Sequence, residues 1–226
     1  MTITYHTEVI QGTQAWLELR RGLLTASEMK LILTPTLKLA SNDKERTHLY
    51  DLLAQRVTGY VEPHFQSYDM ERGNFDEEHA RSKYSAIYAP VTECGFITND
   101  RLGFNLGYSP DGLVGDDGLI ECKSRVQKWQ MQTMIEYVTG QEVPADFIIQ
   151  VQSGLFISER KWCDFVSYSG GMLMATVRAY PIPEVQEAIR NAATAFEARM
   201  KEKLEIYNKL VASDARLIPT ERLVYL

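Results

Sequence analysis

Three residues in the middle of the chain have the types and spacing to do hydrolytic chemistry. Ser109-Pro110-Asp111-Gly112 sets a carboxylate at a turn, and after an eight-residue gap Glu121-Cys122-Lys123 follow. Side chains alternate across a strand, so Glu121 and Lys123 share one face while Ile120 and Cys122 share the other. If the two segments pair, Asp111 comes beside Glu121, and two carboxylates and an ammonium occupy one small site. Carboxylates that close repel unless a cation lies between them, and hard oxygen donors with open water positions suit Mg²⁺. Such a metal lowers the pKa of a bound water, and a lysine adds positive charge where an oxyanion develops. That is the equipment of a metal-dependent phosphodiesterase. Acid-x-Lys on a strand is also a common cross-strand ion pair, so the choice turns on the rest of the chain.

A sheet has to present these residues and helices have to cover it. Segments 91–98, 104–108 and 118–122 read as strands, separated by turn signals at Asn99-Asp100, Pro110-Asp111-Gly112 and Asp116-Asp117-Gly118. Upstream, 41–58 carries Leu49, Leu52, Leu53 and Val57 at helical spacing, with Gly59 as a stop. A second helix is predicted over 75–88, ending before Pro90. Downstream, 126–137 has helical character. Segment 144–157 fits helix or strand by periodicity, and its length favours helix. A late hairpin is predicted from 162–168 and 173–180 across Gly170-Gly171. Val185, Ile189, Ala192, Phe196, Met200, Leu204 and Tyr207 mark a long amphipathic helix over about 183–210. The order predicts an α/β (α+β) fold, a central mixed sheet flanked by helices. No repeat, low-complexity tract or linker divides the chain, so one domain over 1–226 with a short tail is expected.

Bulk composition agrees. The chain has 226 residues, 45% hydrophobic and 24% charged, as in an ordinary globular protein. No apolar run approaches the roughly 20 residues needed to span a bilayer. The first ten residues lack the pattern of a secretory signal. Three scattered cysteines, Cys94, Cys122 and Cys163, argue against a disulfide framework or a zinc site and fit a reducing cytoplasm. The net charge of −6 argues against a protein that coats nucleic acid nonspecifically, but a local basic channel or a metal leaves a nucleic-acid enzyme open. The histidines His6, His48, His64 and His79 show no metal-ligand spacing and read as solvated or incidental.

Three further constellations bear on chemistry. Thr25-Ala26-Ser27-Glu28 has capping-box spacing, and the free amides of a helix start bind phosphate, with Arg20 and Arg21 just upstream. The plainer reading is a capped helix with Trp16 as an anchor. Glu77 lines up along a helix with Tyr84 and Tyr88, an inward face on which a lone carboxylate needs a metal or an arginine such as Arg81. Gln150-Val151-Gln152 lies in an apolar run, where a glutamine either orients water or a phosphate oxygen, or satisfies nearby backbone.

Taken together, these blocks resemble a known family. Trp16-x-x-x-Arg20-x-Gly22-x-x-Thr25-Ala26-Ser27, Gly73-x-x-x-Glu77-x-x-Ala80-Arg81, Ser109-Pro110-Asp111-Gly112, Glu121-x-Lys123 and Gln150-Val151-Gln152 are similar, in this order, to the lambda-type phage exonucleases. These are the YqaJ-like viral recombinase nucleases of the PD-(D/E)xK superfamily. The resemblance covers residues 16 to 152, and Arg72 departs from it by standing where the lambda-type pattern has an aromatic.

The resemblance implies a restriction-endonuclease-like core. It implies that Asp111, Glu121 and the Cys122 carbonyl hold Mg²⁺ (Mn²⁺ substituting), with Glu77 aiding a second metal. Lys123 would orient or deprotonate the attacking water, and Gln150 would sit beside it. Arg20, Thr25 and Ser27 would bind a 5′-phosphate. Asp100 stays outside this set. The implied activity is 5′-to-3′ digestion of linear double-stranded DNA to mononucleotides, leaving 3′ overhangs for a single-strand annealing protein. A homotrimeric ring in the cytoplasm of a bacterial host, phage or prophage encoded, is implied too. Two other functions remain: a noncatalytic DNA-end-binding scaffold, and an endonuclease of the same superfamily. Retention of Glu77, Asp111, Glu121 and Lys123 speaks against the scaffold.

Overall fold

The strands divide between two sheets. The computed structural model describes residues 1–63, 68–213 and 216–222, so His64 lies outside the described residues. In chain order the elements are β1 (Ile3–His6), α1 (Gln14–Arg20), β2 (Leu24–Thr25), α2 (Met29–Ile32), α3 (Asp43–Thr58), α4 (Tyr68–Ile87), β3 (Val91–Thr92), β4 (Phe96–Asn99), β5 (Leu106–Tyr108), β6 (Gly112–Val114) and β7 (Gly118–Ser124). There follow α5 (Gln127–Gln132), a π-helical stretch (Thr133–Val138), α6 (Ala145–Ser158), β8 (Trp162–Tyr168), β9 (Ala175–Ala179) and α7 (Pro183–Val211). One sheet has the order β1-β4-β5-β2 and the other β3-β6-β7-β8-β9. Both are mixed, and helices flank them, as the sequence predicts.

β7 is the middle strand of its sheet, antiparallel to β6 and parallel to β8. A parallel pair needs a crossover, and α5, the π-helical stretch and α6 supply it. The alternation expected along β7 is present. Ile120 and Cys122 pack with Ala80 and Tyr84 of α4, while Leu119 joins the main core with Leu155 of α6 and Phe165 of β8. Leu119 and Ile120 are fully buried, each stabilising the fold by roughly 1.5–3 kcal/mol relative to exposure. β7 is therefore a rigid base for the polar side chains it carries. Among the described residues, no helix is long and apolar enough to cross a membrane.

Several boundaries differ from expectation for physical reasons. Segment 91–98 is two strands in different sheets, because the chain passes tightly against Val9 at Gly95, where a Cβ would lie 1.9 Å from the Val9 carbonyl oxygen. β6, only three residues long, carries too little pattern to be read. α4 starts at Tyr68 rather than near 75, and its buried face includes Asp76, which accepts a 2.5 Å hydrogen bond from the Ser124 hydroxyl. Arg72 also reaches Ser124, so a polar network occupies the place where the lambda-type pattern has an aromatic. α3 starts at Asp43 rather than 41, because Asn42 is extended and accepts from the Glu45 amide as its cap, and Gly59 closes the helix at φ 66° as expected. In α7 the buried stripe runs from Val185 to Met200, and Tyr207 is exposed, contrary to the expected stripe. Glu197 of α7 takes two 2.8 Å hydrogen bonds from Arg56 of α3, whose Nε donates to the Gly22 carbonyl at 2.8 Å. This brace fixes the turn that follows Arg20.

Candidate active site

The β6–β7 register brings the two carboxylates together. Gly112 pairs with Ile120, so Asp111 stands level with Glu121. Asp111 Oδ2 accepts from the Cys122 amide at 2.5 Å. Glu121 is 1% exposed, and both of its oxygens are occupied. Oε1 accepts from Lys123 Nζ at 2.5 Å and also from Gln150 Nε2 of α6. Oε2 accepts from the Tyr108 hydroxyl at 3.0 Å. Asp111, Glu121, Lys123 and Gln150 are thus neighbours, as the sequence predicts.

Glu77 approaches from α4. Arg81 donates to Glu77 Oε1 at 3.2 Å and to the Asp111 carbonyl at 3.1 Å, tying the helix to the turn. The arginine partner is therefore present. The expected inward face is corrected: Asp76, Ala80 and Tyr84 are buried, Glu77 is at their margin, and Tyr88 is exposed. Burial raises the Glu77 carboxyl above its ordinary range; Arg81 opposes this, and Glu121 adds to it. Burial, then Glu121 and Glu77, push Asp111 well above the carboxylate range. For Lys123, burial favours the neutral amine, but Glu121 and Asp111 outweigh it and hold the ammonium above its ordinary range. Lys123 is a cation here, neutralising buried acids.

The N-terminal residues form the other wall. Arg20 ends α1 with its guanidinium 4.4 Å from the Trp16 ring centroid and 3.5 Å from Ser109 Oγ. Trp16 Nε1 donates to the same Ser109 hydroxyl at 2.9 Å. Burial lowers the Arg20 pKa, against the opposing effect of Glu28. The expected helix start at Thr25 is corrected: Thr25 ends β2, paired in parallel with β5, and the short α2 begins only at Met29. Glu28 still reaches back to the Thr25 amide at 3.2 Å, but the Thr25 hydroxyl donates to that carboxylate at 2.6 Å instead of capping a helix. β-Pairing has taken the place of the cap. Glu28 thus holds the Thr25 proton and also lies 4.0 Å from Arg20. What faces an anion is the Arg20 guanidinium with the Ser27 hydroxyl, 3.3 Å from Thr25 Oγ1, and Thr25 could donate to an anion only by leaving Glu28. A cleft of about 950 Å³ joins Trp16, Arg20 and Thr25 to Glu77, Arg81 and Asp111.

Other expectations sort as follows. Gln152 serves backbone, accepting from the Ile182 amide and donating to the Tyr180 carbonyl. Asp100 pairs with the N-terminal residues and stays outside the cleft. His48 is buried, 3.9 Å from Glu28, so it is not solvated as expected. Tyr108 and Gly154 escaped the sequence reading, and Ser109 entered it only as part of the Ser-Pro-Asp-Gly turn, not as the partner of Trp16 and Arg20. Gly154 backs Tyr108 so closely that a Cβ would lie 2.7 Å from the ring. The only sequence signal for Tyr108 and Ser109 is their adjacency to Pro110-Asp111.

Among the described residues, no three carboxylate, histidine or cysteine groups stand in a metal-ligating arrangement. The donor chemistry nevertheless fits a hard divalent cation. Asp111 and Glu121 offer buried carboxylate oxygens in mutual repulsion, with Glu77 beside them, and a cation would relieve that repulsion.

A profile of the YqaJ-like viral recombinase domain matches residues 15–161. The crystal structure of an alkaline exonuclease (LHK-Exo) from Laribacter hongkongensis aligns with a TM-score of 0.77 at 28% identity, over 88% of this chain and 98% of that one. LHK-Exo in complex with dAMP aligns with the same TM-score at 29% identity, over 88% and 98%. A phage-related exonuclease from Haemophilus somnus 129PT shares the fold at a TM-score of 0.51 and 13% identity, over 80% and 96%. No curated protein matches the chain.

Proposed function

The chain belongs to the YqaJ-like viral recombinase family, and from that premise we propose that it is a Mg²⁺-dependent exonuclease. It digests the 5′-ended strand of linear double-stranded DNA to mononucleotides and leaves 3′ single-stranded overhangs. One observation carries this reading: the β6–β7 register sets Asp111 beside Glu121 and Lys123, next to a cleft that runs to Arg20. The likeness to an alkaline exonuclease, one form of which holds dAMP, supports a nuclease that releases mononucleotides.

Each residue then has a task. Asp111, Glu121 and the Cys122 carbonyl would hold Mg²⁺ or Mn²⁺, with Glu77 beside them, and the bound metal supplies Lewis acidity and a water of lowered pKa. Lys123, kept protonated by the acids around it, places positive charge at the scissile phosphate and orients the attacking water. Gln150 and Lys123 both donate to Glu121 Oε1, which fixes where the carboxamide and the ammonium sit. Arg20, with Thr25 and Ser27, receives the 5′-phosphate and sets the register of cleavage. The overhang passes to a single-strand annealing protein. A homotrimeric ring around the duplex, in a bacterial host's cytoplasm, completes the proposal.

The test is digestion of a linear duplex labelled at either its 5′ or its 3′ ends, with Mg²⁺ and an EDTA control. Early release of labelled mononucleotide from the 5′ end alone supports the polarity. Early release from the 3′ end reverses it.

A further inference from the structure

Arg125 continues the row of polar side chains that begins with Glu121 and Lys123. β7 ends at Ser124, but the Arg125 amide donates to the Tyr168 carbonyl at 2.7 Å and extends the β7–β8 ladder by one residue. Alternation therefore turns Arg125 to the face of Glu121 and Lys123. The side chains agree. Lys123 Nζ and Arg125 Cζ lie 5.9 Å and 5.1 Å from the centroid of one ring, Phe147. Phe147 is on α6, one turn before Gln150.

This guanidinium lacks the carboxylate partner that several other arginines of the chain have. Arg56, Arg81, Arg101 and Arg178 each face a carboxylate at 3.2 Å or less. The Arg125 guanidinium makes no hydrogen bond or ion pair among the described residues, and its Nε is buried without an acceptor. Asp146 and Tyr137 act on it only through longer-range attraction, against the burial that lowers its pKa. A cation–π contact with Phe147, 5.1 Å from the ring centroid, holds the group in place while its donors stay free. A preset, partly buried arginine with open donors suits a planar, bidentate oxyanion such as phosphate.

We propose that Arg125 is a substrate-binding residue that takes a backbone phosphate of the nucleic-acid strand, one nucleotide along from the phosphate that Lys123 faces. The i, i+2 separation on a strand, about 6.6 Å, is comparable to the spacing of successive phosphates on a nucleic-acid strand. This rests on the nuclease reading above.

The test is equilibrium binding of a fluorescent linear duplex in EDTA across a range of salt. Wild-type protein is compared with Arg125→Met, which keeps the stem on Phe147, and with Arg125→Lys. Loss of one phosphate contact lowers the slope of log K against log salt by about 0.7–0.9. Arg125→Met should show that drop with roughly tenfold weaker binding. Arg125→Lys should keep the slope and lose about threefold in affinity, because the fork is gone. If Arg125→Met does not fold, judged by thermal melting, Arg125→Gln carries the same comparison. Wild-type affinity and slope in the neutral variant, with wild-type protein binding and cutting DNA, would overturn the role of Arg125 alone. Wild-type protein that neither binds nor cuts linear duplex would overturn the nuclease reading itself.

Discussion

The Tyr108 hydroxyl donates to Glu121 Oε2 at 3.0 Å, and this contact joins the two sheets at the site. Tyr108 belongs to β5 and Glu121 to β7, strands of separate sheets. The phenol is fully buried, and burial, then Glu121, raise its pKa well above the ordinary value. It stays neutral and donating. With Gln150 and Lys123 on the other oxygen, it leaves Glu121 no freedom to turn.

Tyr108→Phe keeps the ring and removes the donor. A hydrogen bond to a charged group contributes about 1.5–3 kcal/mol, so melting should fall by several degrees. The released Glu121 should slow cleavage about tenfold, since loss of a positioning hydrogen bond on a metal ligand typically costs about 10–100-fold. Calorimetry and a single-turnover digestion check the two effects. Unchanged values for both would show that the hydroxyl does not position Glu121.

Gly154→Ala tests the packing behind that phenol. In an exposed helix the change would stabilise by up to about 1 kcal/mol. Here the new methyl would lie 2.7 Å from the Tyr108 ring, so overpacking should instead cost about 1–3 kcal/mol. Thermal melting decides by sign alone.

Carboxylate crowding makes a prediction about metal. Mg²⁺ or Mn²⁺ binds the folded site and not the unfolded chain, so it should raise the melting temperature by mass action. Asp111→Asn removes one of the repelling buried acids. In EDTA this variant should melt about 2–4 °C higher, a gain of roughly 1 kcal/mol, and should lose the metal-dependent shift. A shift equal to wild type would place the metal elsewhere.

Arg20→Ala separates the phosphate pocket from the hydrolytic centre. Digestion should slow by about tenfold or more on 5′-phosphorylated ends, given the strength of charge-assisted phosphate contacts, and little on 5′-hydroxyl ends. Initial rates on the two duplexes measure it. Equal slowing would remove Arg20 from 5′-phosphate recognition.

Much of this architecture was legible in the sequence because its signals are local. The alternation of Ile120-Glu121-Cys122-Lys123 fixes which side chains share a face, and the short spacing from Asp111 fixes the hairpin partner. Gly59 marks a helix end through a cap that acts within one turn. What was not legible depends on contacts distant in sequence. Tyr108 gains its role from a strand of the other sheet and from Gly154, and no spacing encodes either. The Thr25–Glu28 spacing pointed to a helix start, and pairing of β2 with β5 overrode it. Asp76 is buried against Ser124, 48 residues away, and no local spacing marks it.

The most direct measurement compares wild-type protein, Asp111→Ala and Lys123→Ala on two substrates with Mg²⁺: a 5′-phosphorylated linear duplex and a covalently closed circle of the same sequence. Wild-type protein should convert the linear DNA to mononucleotides and leave the circle intact. Both variants should be folded by circular dichroism and inactive on either substrate. Cleavage of the circle by wild-type protein would contradict an end-dependent enzyme, and normal turnover by either variant would remove Asp111 and Lys123 from the reaction.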